Sequence, residues 1–172
     1  RVYACTMPDL SGVKKTGGDF NLAALDKRAN TAQQRTDIVR EWKRHADGGR
    51  TVAFAINVNH SRAIVQAFRD AGVRAEHLDG TTPDKERDLI LARLHSGTTR
   101  VVSNCMVLTE GWDLPELSCG IIARPTASLN LHQQMIGRVA RTAEGKDGAV
   151  ILDHAGNHHR HGLITREIAF SL

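Results

Sequence analysis

The stretch that decides the fold is Thr51-Val-Ala-Phe-Ala-Ile56-Asn57-Val-Asn59-His60-Ser61. Val52–Ile56 is an unbroken apolar run of strand length, with none of the alternation that a half-exposed strand shows. Such a strand is covered on both faces. The polar residues behind it suit a helix start, where Ser61 can act as the cap and free amides favour an anion. Ser61–Ala71 reads as that helix, with Ile64, Val65 and Phe68 turned inward and Gly72 ending it.

The same succession continues outward. Val73–Leu78 predicts a strand, Asp79-Gly80 a turn, and Asp84–Leu94 a helix with Pro83 at its first position. Arg100–Ser103, Cys119–Ala123 and Ala149–Leu152 predict further short strands, with a helix over Leu129–Arg141 before the last. Upstream, Ile38, Val39 and Trp42 share one face of a helix over Thr31–Ala46, which Gly48-Gly49 stops. Solid apolar strands alternating with helices indicate a mainly parallel sheet between two helical layers, a three-layer α/β fold. Arg1–Asn30, broken by Pro8, Gly12, Gly17 and Gly18, reads as an irregular lead-in or linker from a missing upstream domain. The folded domain is then expected over residues 31–172.

Composition bounds the function. At 172 residues and 41% hydrophobic, the chain fills one core, which rules out a disordered tail. Aromatics are only 4%, so that core is aliphatic. No run approaches the roughly 18 apolar residues that cross a bilayer, and no signal peptide opens the chain. Cys5, Cys105 and Cys119 are odd in number and form no CxxC pair, which points to reduced thiols and a cytoplasmic setting. The formal charge of +4 permits an anionic partner such as nucleic acid without requiring one.

In such sheets ligands gather beyond the carboxyl ends of the strands. Asn57–Ser61, Asp79–Thr82, Asn104–Asp113 and Arg124–Ser128 are expected there. In Gln134-Met-Ile-Gly137-Arg138-Val-Ala-Arg141, helical spacing places Gln134, Arg138 and Arg141 on one side, where paired guanidiniums suit a polyphosphate. By itself this pattern also describes a solvated basic face. In Leu108-Thr109-Glu110-Gly111-Trp112-Asp113, Gly111 permits a close backbone approach beside a hydroxyl and a carboxylate. A tight turn anchored by Trp112 and Leu114 accounts for it equally well. Asp79-Gly80-Thr81-Thr82, with Arg87 on the next helix, adds a further loop.

Taken together, on what reads as one sheet edge, these segments resemble the second RecA-like domain of superfamily 2 helicases of the DEAD/DEAH and type III restriction kind. Ala53–Ser61 looks like motif IV, and His77-Leu-Asp-Gly-Thr81 with Arg87 like the motif after it. Leu108–Asp113 looks like motif V, and Gln134–Arg141 matches motif VI in its QxxGRxxR form. Pro8-Asp9-Leu-Ser-Gly-Val and Asp153-His-Ala-Gly-Asn157 look like a bacterial or phage subgroup.

The resemblance implies an ATP-dependent helicase or translocase. In it, Arg138 and Arg141 are the arginine fingers on the γ-phosphate, and Gln134 links nucleotide to finger. Gly137 allows close approach, and Gly111 and Asp113 couple ribose and fingers. Ser61, Thr109, Asn57, Thr81 and Arg87 would face a DNA or RNA backbone. ATP and Mg2+ would be held mainly by the first RecA-like domain of the same polypeptide. This chain has no GxxxxGK[ST] and no acidic box, since Gly145-Lys146 runs into Asp147, so it is expected to be inactive alone. Two departures stand out: Met135 replaces a polar residue of many relatives, and Asn104-Cys105 replaces Thr-Asp.

A second reading of the same residues is a non-catalytic α/β module that binds nucleic acid or a metal. Asp153, His154, His158, His159 and His161 crowd together, although no nearby cysteine completes a structural metal site.

Overall fold

A computed structural model describes residues 1–108, 114–146 and 148–162. Its elements run β1 (Val2–Ala4), β2 (Lys15–Thr16), β3 (Asp19–Phe20), α1 (Leu22–Ala29), α2 (Ala32–Ala46), β4 (Thr51–Phe54) and α3 (Val58–Asp70). They continue with β5 (Ala75–Leu78), α4 (Asp84–Ser96), β6 (Val101–Asn104), β7 (Cys119–Ile122), α5 (Leu129–Val139), β8 (Val150–Asp153) and α6 (Asn157–His161). Six strands form one sheet in the order β1-β8-β7-β4-β6-β5, and every pairing in it is parallel.

Strand β4 shows why the apolar run lacks alternation. Val52 and Phe54 enter one core with Ile90 and Leu94 of α4 and Met135, Ile136 and Val139 of α5. Ala53 and Ala55 enter the other, with Ile38 and Trp42 of α2 and Ile64, Val65 and Phe68 of α3. Burying each such large side chain contributes about 1.5–3 kcal/mol. Trp42 also donates its indole hydrogen to Thr51 Oγ1 at 2.7 Å, and its ring meets Phe68 edge-on at 5.3 Å. Gly120 of β7 matters for packing, because a Cβ there would stand 2.6 Å from Val139 Cγ2. Its absence lets α5 lie close on the sheet.

Several boundaries differ from the sequence reading. Helix α3 begins at Val58, capped by Asn57, so Ser61 is an interior residue and not the cap. Helix α5 ends at Val139, which puts Arg141 beyond it. Pro83 precedes α4 with extended ψ, one place before the first helical position.

The first thirty residues are regular in part rather than irregular. β1 pairs with β8 as an edge of the sheet, and β2 and β3 form an antiparallel ribbon. Leu25 and Ala29 of α1 pack on Ile56, joined by Leu10, Val13 and Phe20. These pieces are too short to show a periodicity of their own, and docking on the larger domain defines them. Among the described residues no helix is long and apolar enough to cross a membrane. The three cysteines are free, and burial pushes the Cys119 thiol up to about 12, where it is not a nucleophile.

Candidate functional site

Leu78, Asn104, Phe54, Ile122 and Asp153 stand side by side in the register, so the loops that follow five strands leave from one edge. At β4 the Asn57 side chain accepts the His60 amide hydrogen at 2.7 Å and starts α3. Asn104 is buried. Its amide donates to Ala53 O at 3.0 Å and its carbonyl accepts from Leu108 N at 3.2 Å, so it fixes the start of the next loop. Met106, two places on, holds a left-handed φ of 60°, which is strained for a side chain of that size. Thr109, Gly111 and Asp113 lie outside the described residues.

A chain of polar contacts supports the β5 loop. Ser61 Oγ lies 2.8 Å from Ser103 Oγ and 2.7 Å from His77 Nδ1. Asp79 accepts from His77 Nε2 at 2.8 Å and from the Thr81 hydroxyl and amide at 2.6 and 2.8 Å. The hydrogen bonds from Thr81 and then His77 outweigh burial and hold the Asp79 carboxyl well below the usual carboxylate range. Ser61 is fully buried in this chain. The expectation that it faces a nucleic-acid backbone is thereby corrected: helical register turns its hydroxyl onto the sheet. Thr81 stands exposed at the rim. Arg87, half-buried on α4, reaches Asp84 at 3.4 Å, and its Nε is enclosed without a partner.

The β7–α5 loop is clamped from two sides. Asp19 accepts from Thr126 Oγ1 at 2.9 Å, Ala127 N at 2.7 Å and Arg124 Nη2 at 3.3 Å. Burial raises the Asp19 carboxyl, but these bonds and that from Phe20 N overcome it and leave it below its ordinary value. Asn157, fully buried, accepts from Thr126 N and donates to Arg124 O. Ser128 then caps α5 by accepting from Leu131 N at 3.2 Å.

A helix joining parallel neighbours must return across the sheet, so α5 carries its end away from this edge. Arg138 sits about 15 Å along the axis from the Ser128 cap at 1.5 Å per residue. The structure therefore starts all four expected segments on the carboxyl edge, after Phe54, Leu78 and Ile122 and at Asn104, and sets Arg138 and Arg141 apart, toward the amino end of β7. Gln134 lies four positions before Arg138 and reaches Asn130 at 3.4 Å. Gly137 is exposed, and a Cβ there would meet nothing within 4 Å among the described residues. Lys146 donates to Val139 O and Pro115 O at 2.8 Å and to Arg141 O at 2.6 Å, and burial lowers its pKa.

The histidine cluster resolves into separate tasks. Asp153 accepts from His158 Nδ1 and from the His158 and Ala155 amides. His132 stacks on His161 with centroids 5.2 Å apart. His132 and His154 are buried; the His132 ring nitrogens find no hydrogen-bond partner among the described residues, and His154 lies against the Thr6 backbone. Among the described residues no three His, Cys, Asp or Glu groups come together as a metal site. Sequence reasoning missed Asp19 and weighed Lys146 only as a phosphate-loop lysine. Neither spacing nor composition marks them, because their partners lie far away in sequence or are backbone carbonyls. Asn157 closes the quoted Asp153–Asn157 segment, but the segment alone does not show what it holds.

Comparison with known proteins places these observations. The family described as helicase conserved C-terminal domain matches residues 33–143. A 51.5 kDa protein of Lactococcus phage (isolate 7-9) is 33% identical over 164 residues, which is 94% of this chain and 35% of that protein. The putative mitochondrial ATP-dependent helicase irc3 of Schizosaccharomyces pombe is 43% identical over 140 residues, 81% of this chain and 23% of its own. This chain therefore spans about a third or less of these curated relatives. Among solved structures, the E. coli DEAD-box protein SrmB, bound to a regulator of ribonuclease activity, superposes with a TM-score of 0.62 at 22% identity. That match covers 76% of each chain and concerns the fold.

Proposed function

This chain belongs to the helicase conserved C-terminal domain family, within superfamily 2, and from that premise we propose that it is the second half of an ATP-driven nucleic-acid motor. Its complement is a first RecA-like domain of the same polypeptide that carries the ATP and Mg2+. Residues 1–30 belong to this half, docked on it through β1, α1 and Asp19.

The observation that carries the proposal is Gly137. A glycine inside a helix costs about 0.5–1 kcal/mol relative to alanine. Among the described residues, none stands within 4 Å of the space that it leaves. Its use is to let a neighbour come close, one residue from Arg138. In our reading that neighbour is the nucleotide-holding domain, with Arg138 and Arg141 as fingers on the γ-phosphate and Gln134 beside them. Gly111 and Asp113 address the ribose edge.

The separate carboxyl edge takes the strand. Asn57, Thr81, Arg87 and Thr109 contact its phosphates, while Ser61 braces the rim from below. Phosphate contacts make such binding indifferent to sequence and weaker with salt, whether the strand is DNA or RNA. Closure of the two halves on ATP tightens both sites, and opening after hydrolysis resets the grip. Each half of the reading thus has its own surface.

The test is Arg138→Ala in the polypeptide that joins both RecA-like domains. Nucleic-acid-stimulated ATP turnover should fall by about 10³–10⁵, the usual worth of an arginine finger. Unchanged turnover removes the assignment.

A further inference from the structure

We propose that Lys146 is a positioning residue for Arg141, latching the arginine-bearing segment to the downstream end of the loop that starts at the strand-binding edge. This rests on the finger reading above. Lys146 lies outside the residues 33–143 that match the family, and its Gly145-Lys146 pair lacks the GxxxxGK[ST] pattern of a phosphate loop.

The geometry is specific. An ammonium group has three hydrogens to donate, and here the carbonyls of Val139, Arg141 and Pro115 take them. Val139 ends α5 and Ala140 is its cap, so the Val139 carbonyl is one left without a helical partner. A cation there also suits the negative end of the helix dipole. The Arg141 backbone, lacking a helix beneath it, is thereby fixed from outside. Without Lys146 the segment after Val139 loses this tether, and the backbone that carries the Arg141 side chain is released at its carbonyl.

The third contact gives the latch a direction. Pro115 closes the segment that contains Thr109, Gly111 and Asp113. Asn104 ties the opening of the same segment to β4 at the carboxyl edge. Asn104 and Pro115 are thus each held by a named contact, one to β4 and the other to Lys146.

The experiment uses the polypeptide with both RecA-like domains and compares Lys146→Met, Arg141→Ala and the double variant. Lys146→Met keeps the bulk of the side chain and removes its donors. Its nucleic-acid-stimulated kcat should fall about tenfold or more, the scale of a displaced catalytic group. Because Lys146 acts through Arg141, the double variant should match Arg141→Ala within about twofold rather than multiply the losses. Losses that multiply show an independent structural role and overturn the proposal, as does a folded Lys146→Met with parental kcat. If Arg141→Ala itself turns over normally, the finger reading fails, and this inference fails with it. Should Lys146→Met not fold by circular dichroism, Lys146→Gln, which keeps an uncharged donor, is put through the same comparison.

Discussion

The carboxylate of Asp19 accepts the hydroxyl hydrogen of Thr126 at 2.9 Å across 107 positions of sequence. The Thr126 hydroxyl in turn accepts from Ser128 N at 3.0 Å, and Ser128 caps α5. The amino-terminal ribbon therefore holds the start of the helix that carries Gln134 and Arg138. Asp19→Ala also strips the buried Arg124 of its carboxylate, with 8% of the Arg124 side chain exposed. We expect a loss of about 2–4 kcal/mol, between a lost charged hydrogen bond and a broken buried pair. Urea denaturation of this domain measures it. A change below about 0.5 kcal/mol, the range of an ordinary surface substitution, refutes the clamp.

Two glycines predict opposite outcomes for the same substitution. Gly120→Ala drives a Cβ to 2.6 Å from Val139 Cγ2 and should cost about 1–3 kcal/mol as overpacking. Gly137→Ala meets no described residue within 4 Å and should stabilise this domain by about 0.5–1 kcal/mol. In the two-domain polypeptide the same Gly137→Ala should lower ATP turnover, since the methyl group occupies the approach. Thermal denaturation and a turnover assay on the same variants separate the two effects.

The sheet was legible because parallel strands covered on both faces need uninterrupted apolar residues, and Val52–Ile56 supplies them. The limits of α2 were legible for a related reason: Thr31 is a side-chain cap and Gly48-Gly49 is a stop, both local signals. β1 was not, because Val2–Ala4 is defined by pairing with Ile151–Asp153 and not by its own composition. Arg141 was placed on a helix because the i, i+3 spacing from Arg138 continues past the point where α5 ends. Ser61 was read as a cap and a strand contact for want of one fact, that Asn57 begins the helix a turn earlier. Motif spacing located the segments, while the division of the site between a sheet edge and a helix end depends on chain direction.

Stability should fall as the solution is acidified from neutrality. His60, His132 and His154 are pushed down to about 4, in each case first by burial. In the unfolded chain they titrate near 6.5, so between about pH 6.5 and 4 the unfolded state binds more protons. Stability is full above that window and is lost as pH falls through it, by at most about 1.4 kcal/mol per pH unit for each histidine. His154→Phe should flatten the slope by up to one such share. A slope between pH 6.5 and 4.5 that His154→Phe leaves unaltered refutes the neutral buried state of His154.

Ser61 and Thr81 should separate stability from strand binding. Ser61→Ala leaves His77 Nδ1 and Ser103 Oγ without their shared partner in a buried place, at a cost of about 1–3 kcal/mol. It removes nothing from the surface, so affinity of the two-domain polypeptide for single strands should stay within about twofold under conditions where the variant is folded, since a shift of that size is below 0.5 kcal/mol. Thr81→Ala, at the exposed rim, should weaken strand binding. Arg87→Ala should in addition make binding less dependent on salt, because one fewer cation meets phosphate. Fluorescence anisotropy across a salt series reads all three. Should Ser61→Ala instead lose affinity while its stability is unchanged, the hydroxyl faces the strand after all, and the enclosed Ser61–His77–Asp79 chain is wrong.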